Sequence, residues 1–190
     1  MMRRFLLTSS IALLAGPALA TDYTASMQGY VDSGALDWMA NAIIIDAVQA
    51  QNATTGGYTE DEILAMDGEW RTQVGTGDTP LIDGVLNGEV ADFLRAQVEA
   101  SGGMVTEIIL MDAQGLNVAV SHVTSDYWQG DEAKHIETFG AGPDAVHFSE
   151  IELDESSQRY QGQISVTLVD PDTGEAIGAV TVGVDAGALG

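Results

Sequence analysis

There is no cysteine among the 190 residues. No disulfide can staple the fold, no thiolate can act as nucleophile or metal ligand, and stability has to come from a buried core. Cations are nearly as scarce: 6 Lys and Arg stand against 29 Asp and Glu, a net charge of −23. Binding to nucleic acid or to anionic lipid needs a basic stripe or patch, so both are excluded. The acids are spread along the chain rather than gathered in a tail. Such a surface suits a salty medium, where screening removes much of the self-repulsion. Long apolar runs are also missing. In the first half of the chain beyond residue 20 the longest is Ala42 to Ala47, and Asp46 interrupts it; a membrane helix needs about 20 residues. Motifs that carry catalysis are absent as well: no nucleophile elbow G-x-S-x-G, no P-loop, no G-x-G-x-x-G and no H-E-x-x-H.

The amino terminus has the pattern of a secretory signal. Arg3 and Arg4 form a positive n-region, Phe5 to Leu14 an apolar h-region, and Ala18-Leu19-Ala20 a small-x-small cleavage site. The expectation is cleavage after Ala20, export to the periplasm, and one mature domain over 21–190. Arg3 and Arg4 leave with the signal, so Arg71, Arg95, Lys134 and Arg159 are the cations that remain.

The mature chain is helical first and strand-rich later. Ala25 to Ala53 carries apolar residues at helical spacing, among them Leu36, Met39, Ile43, Ile44, Ala47 and Val48, with Gly34 weakening its start. Thr59-Glu60-Asp61-Glu62 is a cap followed by acids, with Glu62 at capping-box distance, and opens a second helix to about Val74. Pro80 opens a third that reaches about Ser101, weakened at Asn87-Gly88. After Gly103 the period becomes two. Strands are expected over Val105 to Met111, Leu116 to Val123, Ala145 to Leu153, Arg159 to Val169 and Ala176 to Asp185, with a lateral excursion from Asp126 to Phe139. Short turns between neighbours make the sheet antiparallel. The fold class is therefore α+β in a PAS-like layout: a long N-terminal helix and further helices on a five-stranded antiparallel sheet.

Few segments carry chemistry. His122, His135 and His147 are not spaced as metal ligands and are read as structural, so no metal or other cofactor is expected. Asp170 to Glu175 resembles a calcium loop but lacks the oxygen ligand set and reads better as a hairpin turn. Ser121 and His122 are neighbours on an expected strand and should point to opposite faces, which removes them as a nucleophile–base pair; no enzyme activity is expected. The unusual stretch is Thr124 to Lys134 (TSDYWQGDEAK), with two large aromatics, two hydroxyls, three acids and a lysine. It fits the wall of a small-ligand pocket. It fits equally a cover in which Tyr127 and Trp128 seal one face of the sheet.

Five stretches give the chain a family resemblance: Trp70-Arg71, Asp112 to Val118 (DAQGLNV), Thr124 to Lys134, Asp154 to Ser157 (DESS) and Ile177 to Val184 (IGAVTVGV). Together they resemble the bacterial single Cache or PDC sensor domains, extracytoplasmic relatives of PAS. The resemblance implies a long N-terminal helix on an antiparallel sheet, a pocket over the sheet's centre, and ligand sensing without catalysis. Most such domains continue into a membrane helix and a signalling module. Here Gly190 follows closely on the last expected strand, so the signal is expected to pass to a separate partner, a membrane-bound sensor kinase or chemoreceptor. His135 stands where the family pattern suggests a second Trp. Asp126, Tyr127, Trp128, Asp131 and Lys134, with Arg71, are the candidate ligand-binding residues. If Arg71 and Lys134 converge, the ligand is a small carboxylate; if Asp126 and Asp131 face inward around the aromatics, it is a cationic amine. The alternative function is a ligand-free adaptor for a membrane signalling partner, with the pocket filled by its own side chains.

Overall fold

Gly34 and Asn41 cut the first helical run. In the computed structural model, which describes residues 23–154 and 159–189, helix α1 covers Tyr23–Asp32 and stops before Gly34, whose φ is 78°. A 3₁₀ turn follows at Asp37–Ala40, and α2 begins afresh at Ala42–Thr55 with the Asn41 side chain accepting from Ile43 N. The expected single long helix is thus three pieces, because a left-handed residue and a new N-cap each end helical geometry. The expected signal segment 1–20 lies outside the described residues, as do Glu155 to Ser157 of the DESS stretch.

Helix α3, Glu60–Gln73, forms with the full capping box of Thr59 and Glu62. The Thr59 backbone N–H and hydroxyl both donate to the Glu62 carboxylate, at 2.8 and 2.9 Å, and hold its pKa below the usual glutamate value. The third expected helix divides at Gly88 (φ 126°) into α4, Pro80–Leu86, and α5, Glu89–Ala100.

The sheet is antiparallel throughout: β1 (Val105–Asp112), β2 (Asn117–Val120), β3 (Val146–Phe148), β4 (Glu152–Asp154), β5 (Arg159–Val169) and β6 (Ala176–Asp185), in the order β2-β1-β6-β5-β3 with β4 also on β5. A single strand was expected over Ala145 to Leu153. It is two, because the Ser149 hydroxyl takes the Gln163 N–H at 2.8 Å in place of a ladder carbonyl. The α+β class and the antiparallel sheet agree with the sequence reading.

Each face of the sheet has its own core. Val180, Val182 and Val184 of β6 with Ile164, Val166 and Leu168 of β5 meet Met27, Ile44, Val48 and Leu94 from α1, α2 and α5. On the opposite face Ile109, Met111 and Ala179 meet Ile63 and Trp70 of α3, Ile82 and Val85 of α4, and Tyr127. That second core covers one end of its face. At the other end the register aligns Glu107, Gly183 and Gln163 across β1, β6 and β5, and this row stays polar.

Candidate ligand-binding cleft

A cleft of about 460 Å³ opens over that polar end. Thr106, Glu107 and Ile109 enter it from β1, Gln161 and Gln163 from β5, His122 to Ser125 from the segment after β2, and Gln129 and Lys134 from the excursion. Gly183 lets the side chains of Thr106 and Glu107 lie close against β6. The Gln163 amide donates to the Glu107 carboxylate at 3.3 Å across it, and a Cβ on Gly183 would come within 2.7 Å of Glu107 Cγ.

Lys134 is the second residue of the short helix α6, Ala133–Ile136. Its side chain is 13% exposed, and its ammonium pairs with Glu132 at 3.0 Å and donates to Gln129 Oε1 at 3.2 Å. A second depression of about 400 Å³ shares Lys134, Gln161 and Gln163 and adds Glu132, Glu150 and Glu152. The wall that carries Gln129 and Lys134 is tied to the β1–β2 turn: Gln129 N donates to Gly115 O at 2.8 Å, Trp128 Nε1 to Gln114 O at 2.8 Å, and His135 Nε2 to Asp112 O at 3.2 Å. That turn is tied in turn to α2. The fully buried Asp112 carboxylate accepts from Thr55 Oγ1 at 2.7 Å and Gln51 Nε2 at 3.0 Å, and Asn52 Oδ1 accepts from Ala113 N.

The six residues singled out in the sequence separate in space. Lys134 lines the cleft. Arg71 belongs to a different cluster, pairing with Asp67 at 2.8 Å and Asp126 at 2.7 Å. Asp67 is the centre of that cluster: its Oδ1 accepts from the backbone N–H groups of Tyr127 and Trp128, fixing the excursion to α3. Tyr127 is 4% exposed and stacks on Trp70 with ring centroids 5.5 Å apart, so it sits in the second core. Burial, with the charge of Asp112 behind it, pushes its phenol up to about 12. Trp128 packs against the same core, and Asp131 is exposed. Arg71 and Lys134 therefore do not converge in one cleft, and neither Asp126 nor Asp131 is part of its lining.

Thr106, Glu107, Gln161 and Gln163 went unnoticed in the sequence. One signal was there: Gln161, Gln163 and Ser165 alternate with Gly162, Ile164 and Val166 along β5, and a polar face on an interior strand asks for a reason. The expectation that Ser121 and His122 point apart is corrected. Both lie past the end of β2, where alternation lapses, and Ser121 Oγ is 3.0 Å from His122 Nδ1. Ser121 is nonetheless 3% exposed and accepts the Ile108 N–H at 2.8 Å, so its hydroxyl is a structural link and not a presented nucleophile. Among the described residues no group of three or more His, Asp or Glu is placed to hold a metal ion, and no helix is long and apolar enough to cross a membrane.

No family model and no curated protein matches the sequence. Solved structures do match. The sensor domain of the Vibrio cholerae histidine kinase DctB is 15% identical with a TM-score of 0.48, over 88% of this chain and 53% of that one. The sensory domain of the Campylobacter jejuni chemoreceptor Tlp3 with isoleucine bound is 13% identical with a TM-score of 0.42, over 90% of this chain and 66% of that one. The ligand-binding domain of the Pseudomonas aeruginosa PAO1 amino acid chemoreceptor PctC in complex with GABA is 14% identical with a TM-score of 0.41, over 86% of this chain and 63% of that one. This chain spans about half of the DctB domain and just under two thirds of the other two. All three are sensor or ligand-binding domains.

Proposed function

We propose that the protein is a periplasmic sensor domain, released by cleavage after Ala20, that binds a small carboxylate in this cleft and signals through a separate membrane-bound kinase or chemoreceptor. Lys134 supports this reading most. A mostly buried ammonium has three donors, and among the described residues two are used, by Glu132 and Gln129. The third is available to a ligand carboxylate, which makes stronger hydrogen bonds with a charged donor than with a neutral one. The Gln, Thr and Ser side chains around it supply further hydrogen bonds, and Ile109 and Val123 a small apolar surface. An open cleft also favours a sensor over an adaptor, whose cleft its own side chains would fill. Nothing in the site asks for bond-breaking chemistry.

A thermal-shift screen of the 21–190 protein against small acids, amino acids and amines tests the reading. A ligand at about 100 times its dissociation constant adds about 2.7 kcal/mol of stability. Lys134→Met keeps the aliphatic stem, so the unliganded melting temperature should change little and most of the ligand shift should vanish. A ligand that binds the variant as well as the parent rules out Lys134 as its anchor. A parent protein that responds to no compound favours the adaptor.

A further inference from the structure

One nitrogen of the His122 ring is bonded, and the other has no partner among the described residues. His122 lies just past the end of β2, is exposed, and borders the cleft beside Val123, Thr124 and Ser125. Its bonded nitrogen faces Ser121. A serine hydroxyl has one hydrogen and two lone pairs. Ser121 Oγ accepts the Ile108 N–H at 2.8 Å and stands 3.0 Å from His122 Nδ1. Ser121 is 3% exposed, and no other acceptor for its hydrogen is present among the described residues. A buried hydroxyl hydrogen without an acceptor is costly, so the Ser121 hydroxyl donates to His122 Nδ1. A ring nitrogen that accepts carries no proton, and a neutral imidazole then has its proton on Nε2. The ring also borders a depression lined by Asp92, Arg95 and Glu99, and Nε2 bonds to none of them.

We propose that His122 is a ligand-binding residue of the cleft, held by Ser121 in the Nε2–H tautomer so that it serves the anionic ligand as a second donor beside Lys134. This rests on the carboxylate reading of the cleft. His122 is the residue in contact with the ligand, and Ser121 is a positioning residue that acts through it. The tautomer bears on specificity. With the proton on Nε2 the ring offers a donor, which suits a carboxylate and opposes an ammonium. The other tautomer would offer a lone pair there and suit an amine. The acid of the cleft lining, Glu107, is already engaged by Gln163.

Nitrogen NMR of the 21–190 protein, at alkaline pH where imidazoles are neutral, reads the tautomer directly. The His122 proton should be found on Nε2, and a proton on Nδ1 overturns the proposal. Ser121→Ala should populate both tautomers of His122. An unchanged tautomer there overturns the positioning role of Ser121, and the parent spectrum and the His122 variants decide the rest even where Ser121→Ala does not fold. Acetate, propionate and succinate are the binding probes, titrated calorimetrically. Saturation with at least one should shift the His122 Nε2 signal. His122→Phe, at an exposed position, should melt close to the parent and bind that acid roughly tenfold more weakly, the loss of one bond to a charged acceptor. His122→Gln, whose amide N–H stands in for Nε2–H, should recover part of the loss, and equal weakening in both variants overturns the N–H as the contact. An acid that binds His122→Phe as well as the parent, yet is lost in Lys134→Met, overturns the role of His122 and leaves the carboxylate reading intact. No binding of any of the three acids overturns both.

Discussion

Arg71 and Asp67 show how unequal two ends of one ion pair can be. Arg71 is 59% exposed on its side chain and Asp67 is 5% exposed. Removing the arginine leaves a carboxylate that still accepts two backbone N–H groups, so Arg71→Ala should cost under about 1 kcal/mol. Removing the carboxylate orphans those N–H groups in the core, and Asp67→Ala should cost about 2–3 kcal/mol. Urea unfolding of both variants measures the difference, and equal costs would contradict the assignment of Asp67 as the centre of the cluster. His135 makes a second case. Burial lowers its pKa, against smaller raising effects of its bond to the Asp112 carbonyl and the Asp112 charge. The unfolded chain takes up this proton near about pH 6.5 while the folded protein resists it. The stability that His135 contributes is therefore present above that pH and is lost as pH falls toward the folded value. The urea midpoint should drop between about pH 7.5 and 5.5 in the parent, and drop less in His135→Phe, which keeps the ring that stacks on Phe139.

Elements set by neighbours in the chain were legible in the sequence, and those set by distant partners were not. The Thr59–Glu62 box and Pro80 act within one turn of helix, and both helices start where those residues place them. The division of β3 from β4 depends on Ser149 meeting Gln163, 14 residues away, which no local pattern announces. The same holds at the site. Lys134 stood out as a rare cation in an aromatic stretch, but Glu107 and Gln163 become neighbours only through the register of β6, and Tyr127 faces inward because Asp67 holds its backbone. The β1–β2 turn is an element whose failure should be visible. Gly115 has a φ of 80°, and a Cβ there would collide with the Gly130 backbone. Gly115→Ala should loosen the Gln129–Gly115 bond and with it the cleft wall. Amide exchange should quicken at residues 112–117 and 128–134 together, and quickening confined to the turn would show that the two segments move independently.

For the whole molecule, charge is the dominant long-range term. With 29 acids against 6 Lys and Arg, repulsion acts over the screening length, roughly 10 Å at 0.1 M salt and roughly 3 Å at 1 M. Sodium chloride should therefore raise the melting temperature across that range, more than it does for a neutral domain of similar size. A flat or falling salt dependence would mean that the acids are arranged to repel little.

The placement of β6 between β1 and β5 also governs when the protein can fold. Val105 pairs with Val184 and Ile109 with Thr181, so the middle of the sheet closes only after some seventy residues of chain are in hand. Until then β1–β2 is a lone hairpin with its inner edge bare, and β5 lacks its main partner. Non-local closure of this kind makes folding slow, in the millisecond-to-second range typical of sheet-rich domains. A slow folder that stays open until its central strand arrives needs its edges kept from pairing with other copies in the meantime. The excess of negative charge provides that protection while the sheet is incomplete.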